Sequence, residues 1–223
     1  VYEKKINGLI FGDDPKQGVR RGRTFEHPAL GIRFEVPPSF TMFNTPEKLT
    51  ARSDNGSVLF FDLAQERKIH KLGGITNYIK TISFKGRKFQ NVKKLKINNM
   101  KAATGIARVV KNGKQRDARL LIIEKEKNQI FRLLFETDIK NANLITQQFK
   151  HMIFSFRSLN QSEASAIKPL RIRFRTISSG ENVKKIAQDM PIESFALEWF
   201  KLLNLTKWGI PSEVGQRVRI IAE

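Results

Sequence analysis

The chain has 223 residues, 40% of them hydrophobic and 17 of them phenylalanine, with no cysteine and a formal charge of +20. This length and apolar content fit one large domain or two small ones and exclude a wholly disordered chain. The lack of cysteine excludes disulfides, thiolate metal ligands and a cysteine nucleophile, and no apolar run reaches the roughly 20 residues of a membrane-crossing helix. Val1 is neither an initiator methionine nor part of a signal-peptide pattern, which predicts a fragment or a processed chain.

The charge is uneven. Residues 170–223 hold 9 Lys/Arg and 6 Asp/Glu, a net of +3, which leaves +17 on residues 1–169. Residues 67–116 contain 15 Lys/Arg and no carboxylate. Such a field attracts polyanions: wall polymers, lipopolysaccharide, anionic lipid or nucleic acid. The plain alternative is a solvated basic surface with no dedicated partner. No RNP-type, zinc-finger or helix-turn-helix signature accompanies the charge, so only the charge favours nucleic acid.

Residues 1–31, with five glycines and two prolines, read as an extended lead-in. From Ile32 the pattern changes. "IRFEV" alternates and stops at Pro37-Pro38, which predicts a strand. "KLTARS", "DNGS" and "VLFFDLA" predict a hairpin, with Asn55-Gly56 supplying the turn. Ile75, Ile79 and Ile82 fall at helical spacing. "VKKLKI" alternates loosely as a strand, and "ATGIARVV", "RDARLLIIEKE" and "IFRLLFET" predict a three-stranded meander whose first turn is Asn112-Gly113. A helix closes the segment, with Leu144, Ile145, Phe149, Met152 and Ile153 as its apolar stripe. Residues 32–158 are thus expected to form one α+β domain, an antiparallel sheet with packed helices.

Residues 159–169 are polar, end at Pro169 and read as a linker. Residues 170–223 then predict a second, small domain in the order β-α-α-β. Its strands are "LRIRFRTIS" and "QRVRIIA". Its helices start at Asn182 and within "SFALEWFKLLN".

No catalytic constellation is visible. His27, His70 and His151 are isolated from one another, and none belongs to a HExxH pair. Asp13-Asp14 sits in a Gly-Asp-Asp-Pro turn, where an Asp capping its own backbone is the common arrangement. There is no G-x-S-x-G elbow and no phosphate-binding loop. The chain therefore reads as non-enzymatic by itself, with no cofactor of its own.

Two resemblances follow from particular residues. "TISSGENVKKIA", "FKLLNL" and "GQRVRII" make residues 170–223 similar to a LysM domain, the β-α-α-β module that binds glycans containing N-acetylglucosamine. The closing proline common in that family is missing, and "DMPIESFALEW" is longer than usual. The resemblance implies a sugar groove with Gly180, Glu181, Asn182 and Val183 on one side. Leu205, Thr206, Trp208, Gly209 and Ile210 lie on the other. The opposing reading is that Trp208 and Ile210 plug a small core.

"GIRFEVPPSF", "INNMKAATGIAR" and "FKHMIFSFR" resemble the PsbP-like α+β fold. The lead-in with the strand that follows it, "GLIFGDDPKQGVRRGRTFEHPALGIRFEVPPSF", resembles the segment after the catalytic domain of some bacterial periplasmic HExxH zinc metallopeptidases. The resemblance implies a non-catalytic targeting region in the envelope of a Gram-negative bacterium, near peptidoglycan or protein substrates. Zinc and its ligands would belong to a domain upstream. The alternative is a freestanding basic module for anionic envelope polymers. In that case the contact residues are expected among Lys85, Arg87, Lys88, Lys93, Lys94 and Lys96.

Overall fold

The computed structural model describes residues 5–64, 66–81, 83–84, 87–205 and 209–223. The chain divides into two compact units, Lys16–Ser165 and a second made of Val1–Pro15 with Ala166–Glu223.

In the larger unit, β1 (Val19–Arg21), β2 (Thr24–His27) and β3 (Ile32–Glu35) form an antiparallel meander. Residues 16–31, expected as a lead-in, therefore belong to a sheet. Their strands are three or four residues long and bracketed by glycine and proline, which hides the alternation around Phe25. His27 caps the turn between β2 and β3, its Nδ1 accepting the Leu30 N–H at 3.3 Å.

A second sheet holds seven strands. β4 (Phe40–Asn44), β5 (Leu49–Ser53) and β6 (Val58–Leu63) come first. Helices α1 (Glu66–Lys71) and α2 (Ile75–Thr81) follow, then the short pair β7 (Ser83–Phe84) and β8 (Arg87–Lys88). β9 (Gln90–Ile97), β10 (Met100–Lys111), β11 (Lys114–Glu126) and β12 (Gln129–Asp138) complete the sheet. Its order is β4-β5-β6-β12-β11-β10-β9, antiparallel throughout. Helix α3 (Ala142–Ser155) leads to β13 (Arg157–Ser158), which pairs with β3.

Turn chemistry sets the hairpins. Asn112 (φ 50°) and Gly113 (φ 72°) are both left-handed, as a two-residue type I′ turn requires. At the β5–β6 turn Gly56 alone has positive φ, 78°. There the Asn55 Oδ1 accepts the Ser57 N–H at 3.1 Å and the Ser57 hydroxyl at 2.7 Å.

Successive strand residues point to opposite faces, and the seven-stranded sheet is covered on both. Leu121 and Ile123 of β11 join a core with Phe34, Phe61, Phe131 and Phe156, which α3 and the smaller sheet close. Leu120 and Ile122 join another with Ile69, Ile79 and Leu134, under α1 and α2. Double burial is why "LLII" is a continuous apolar run. Phe34 stacks on Phe156 at 5.7 Å, and Phe61 on Phe131 at 5.7 Å. Each such ring contributes about 1.5–3 kcal/mol of burial energy. Of the expected α3 stripe, Phe149, Met152 and Ile153 are buried, while the side chains of Leu144 and Ile145 lie outside the described residues, as does Ile82.

The segment 159–169, expected as a linker, contains the helix α4 (Gln161–Ala166). It starts with a reciprocal capping box. Asn160 Oδ1 accepts the Glu163 N–H and Glu163 Oε2 accepts the Asn160 N–H, each at 2.8 Å.

The smaller unit has β14 (Arg171–Thr176), α5 (Val183–Gln188), α6 (Ala196–Asn204) and β15 (Arg217–Ala222), the β-α-α-β order expected. Ile177, Ile186, Ala187, Met190, Phe200, Val218 and Ile221 form its core. Both edges of the β14–β15 ladder are occupied. On the β14 side, Ile172 exchanges backbone hydrogen bonds with Gly8 (2.8 Å) and Leu9 (2.9 Å), and Phe11 bonds to Leu170 at 2.7 Å. Residues 8–11 are thus a strand-like extension of the C-terminal unit, because the free edge of a two-stranded ladder needs partners. On the β15 side the edge is met by the side chain of Asn204.

Candidate functional site

The β14–β15 ladder brings two loops to one end of the small unit. Thr176 pairs with Arg217 there, Ile177 N–H donates to the Gln216 carbonyl, and Gly215 N–H donates to the Ile177 carbonyl, both at 2.9 Å. The 178–183 turn and the segment entering β15 therefore adjoin.

Within the turn, Gly180 has φ 79° and open space where a Cβ would stand. The Glu181 carboxylate accepts the Ser178 N–H at 2.8 Å and the Arg175 guanidinium at 2.5 Å, and these contacts lower its pKa, the Ser178 N–H most. Asn182 is the N-cap of α5, its Oδ1 accepting the Lys185 N–H at 2.9 Å. Both polar side chains nominated for a ligand are thus used to build the turn, and Arg175 is the partner that the sequence reading did not pick out. Its place on β14, one strand before the turn, was the available signal.

Val183 and Ile210 are half-buried and pack against the same small core. Leu205, the C-cap of α6, is 66% exposed, and Gly209 is exposed with φ 100°. Thr206 and Trp208 lie outside the described residues. The turn offers a ligand the backbone of Ser179 and Gly180, while Leu205 and Gly209 are exposed on the segment that follows α6.

The basic stretch has a different geometry. Lys93, Lys94 and Lys96 are exposed on β9, an outer strand of the seven-stranded sheet. Register puts Lys94 opposite Ala103 and Lys93 opposite Thr104, so these neighbours project to opposite faces. They form a row along an edge rather than a patch on one face. Lysines on an outer strand also discourage edge-to-edge pairing, a structural duty independent of any ligand. Lys88 is exposed on β8. Lys85 and the side chain of Arg87 lie outside the described residues.

The remaining candidates are structural in setting. His27 is held in the capping contact described above, and burial lowers its pKa. His70 and His151 are exposed. Among the described residues, no group of three or more His, Asp or Glu side chains is placed to hold a metal, and no helix is long and apolar enough to cross a membrane.

The chain is an α+β protein built on antiparallel sheets. No protein-family model and no curated protein sequence matches it. Similar solved structures include LpqN of Mycobacterium tuberculosis, involved in cell envelope biogenesis (12% identity, 71% of this chain and 95% of that one, TM-score 0.43). They also include the Ran-binding protein Mog1p of Saccharomyces cerevisiae (10%, 65% and 98%, TM-score 0.42). A third is CyanoP, the cyanobacterial PsbP of Synechocystis (12%, 68% and 98%, TM-score 0.44). At these identities and scores the likenesses assign no chemistry and no partner to this chain.

Proposed function

We propose that the chain is a non-catalytic accessory region of a bacterial cell-envelope zinc metallopeptidase. In this reading the small unit is a LysM-like module that binds peptidoglycan. The larger unit is a PsbP-like adaptor that helps position protein substrates, and zinc belongs to a separate catalytic domain. The setting is the periplasm of a Gram-negative bacterium. One observation carries the reading. The 178–183 turn that the LysM resemblance puts on one side of the groove is built as a tight strand-to-helix turn, with the Glu181 carboxylate closed onto the Ser178 N–H and Asn182 capping α5. Because Glu181 and Asn182 are committed within the turn, the sugar is read by backbone groups and by the surface around Leu205.

The lysine row on β9 favours a second reading, charge-driven capture of an anionic envelope polymer such as wall glycan or lipopolysaccharide. Nucleic acid is a weaker candidate on the same charge. Salt separates the two readings, since contacts between exposed charges fade as ionic strength rises.

The test is co-sedimentation of the full chain with purified peptidoglycan at low and high salt. Salt-resistant pelleting that Leu205→Glu abolishes supports the module. Pelleting confined to low salt and lost in a Lys93→Glu, Lys94→Glu, Lys96→Glu variant supports the second reading. No pelleting under either condition removes both.

A further inference from the structure

The larger unit carries a cavity of about 560 Å³ that lies in neither candidate site. It sits on the face of the seven-stranded sheet that carries α1 and α2, toward the end where the β5–β6 and β10–β11 turns lie. Register builds it. Arg52 of β5 is opposite Val58 of β6, Val58 is opposite Glu136 of β12, and Glu136 is opposite Ala118 of β11. Residues directly opposite share a face, so these four stand in one row across four strands. Val58 and Ala118 are small and leave the row low between Arg52 and the neighbouring Arg116.

The lining is cationic. Arg52, Lys114 and Arg116 contribute three positive charges against the one carboxylate of Glu136, which is buried. Arg116 reaches the β5–β6 turn, its Nη2 donating to the Gly56 carbonyl at 2.8 Å, while its Nε is buried with no hydrogen-bond partner. Arg52 and Lys114 are exposed and make no ion pair with the described residues. Phe60 forms an apolar wall, with the Lys48 ammonium 5.7 Å from its ring centroid. Cations held near one another without matching carboxylates cost electrostatic energy, which a bound anion relieves.

We propose that this cavity binds a small organic anion, a molecule whose phosphate or carboxylate group sits among Arg52, Lys114 and Arg116 and whose apolar body lies against Phe60. The volume argues for an organic body. Ligand sites typically span roughly 300–1,000 Å³, far more than a bare inorganic anion fills. The two arginines suit the head group, because a guanidinium fork matches the oxygens of phosphate and carboxylate alike.

The experiment titrates the full chain with phenyl phosphate, benzoate and phenol, following amide NMR shifts and binding heat. Saturable binding of phenyl phosphate or benzoate is expected, with shifts at Gly56, Ser57, Asn112 and Gly113. Whichever of the two binds more tightly names the head group, and phenol does not bind. Arg52→Glu reverses an exposed charge that makes no bond in the fold, so the protein stays folded, and affinity falls by about tenfold or more, as for a charge-assisted contact. The Lys93→Glu, Lys94→Glu, Lys96→Glu variant removes more charge from the β9 edge and leaves the affinity unchanged. The proposal is overturned if neither anion saturates, if the shifts lie away from the β5–β6 and β10–β11 turns, or if the lysine variant weakens binding as much as Arg52→Glu.

Discussion

The side-chain amide of Asn204 serves both backbone groups of Arg219. Its Nδ2 donates to the Arg219 carbonyl at 2.7 Å, and its Oδ1 accepts the Arg219 N–H at 2.7 Å. Nδ2 also donates to the Phe200 carbonyl at 2.8 Å, and Asn204 is only 3% exposed. One carboxamide thus closes the helix and covers the strand edge together. Asn204→Ala removes its two bonds to the Arg219 backbone and its bond to the Phe200 carbonyl, at a cost of about 2–4 kcal/mol. Both tryptophans, Trp199 and Trp208, lie in residues 170–223. Tryptophan fluorescence during urea unfolding therefore reads this unit, and an unchanged midpoint would show that the bonds contribute nothing.

Three glycines separate steric from conformational cost. A Cβ on Gly105 would lie 2.9 Å from Ile79 Cγ2 and 3.0 Å from Phe89 Cβ, with ordinary backbone φ. Gly105→Ala is expected to cost about 1–3 kcal/mol by overpacking. Gly18 combines φ 90° with a Cβ position 2.4 Å from the Phe25 ring, so Gly18→Ala costs more. Gly180→Ala meets open space and bears only the left-handed penalty, about 1–2 kcal/mol. In the larger unit the denaturation midpoint should fall further for Gly18→Ala than for Gly105→Ala, and equal losses would refute the added conformational cost at Gly18.

His27 gives the larger unit a pH dependence. Its neutral Nδ1 accepts the Leu30 N–H, and burial holds its pKa below the ordinary 6.5. The unfolded chain then binds the proton more readily, so this stability is fully present above pH 6.5 and is lost as pH falls toward the folded pKa. His27→Asn keeps a capping acceptor without titrating. Between pH 7 and pH 5 the Tm of the native protein should fall relative to that of His27→Asn, and a constant difference would refute the assignment.

Arg132 lies on the helix-covered face between Ile130 and Leu134, with Asp62 bridging its guanidinium at 2.7 and 2.5 Å. Burial works against its charge, but the hydrogen bonds and charge of Asp62 outweigh this and hold its pKa above the ordinary value. Asp62→Ala removes the carboxylate from a half-buried cation that keeps its Tyr78 contact, at a cost of about 1–3 kcal/mol. The double variant Asp62→Leu, Arg132→Met is expected to recover most of that. Denaturation of the single and double variants measures the coupling.

Glu163 makes the stability of α4 sensitive to strong acid. The Arg157 guanidinium and the Asn160 N–H lower its pKa from 4.5 to about 2. The stability it adds is present above pH 4.5 and lost as pH falls toward 2. Carboxyl NMR titration of Glu163 in wild type and in Arg157→Gln should show the midpoint rise in the variant.

Residues 170–223 could be read for their elements because their signals are local. Gly180 permits a left-handed turn, Asn182 caps the helix that follows it, and the arginines of "RIRFRT" alternate with apolar residues. Asn112-Gly113 likewise specifies its turn through the φ values of two adjacent residues. Those features need no distant partner. Residues 8–11 and 16–31 gave no such signal, because their strands are short and exist only through pairing with Leu170–Ile172 and with β3. The commitment of Glu181 to Arg175 and the splitting of Lys93 and Lys94 between two faces depend on strand direction and register. The cavity beside Phe60 depends on them most, since it joins residues 52 to 136 through four strands. Pairings over such sequence distances are chosen by the free energy of the whole core, which no short stretch of sequence contains.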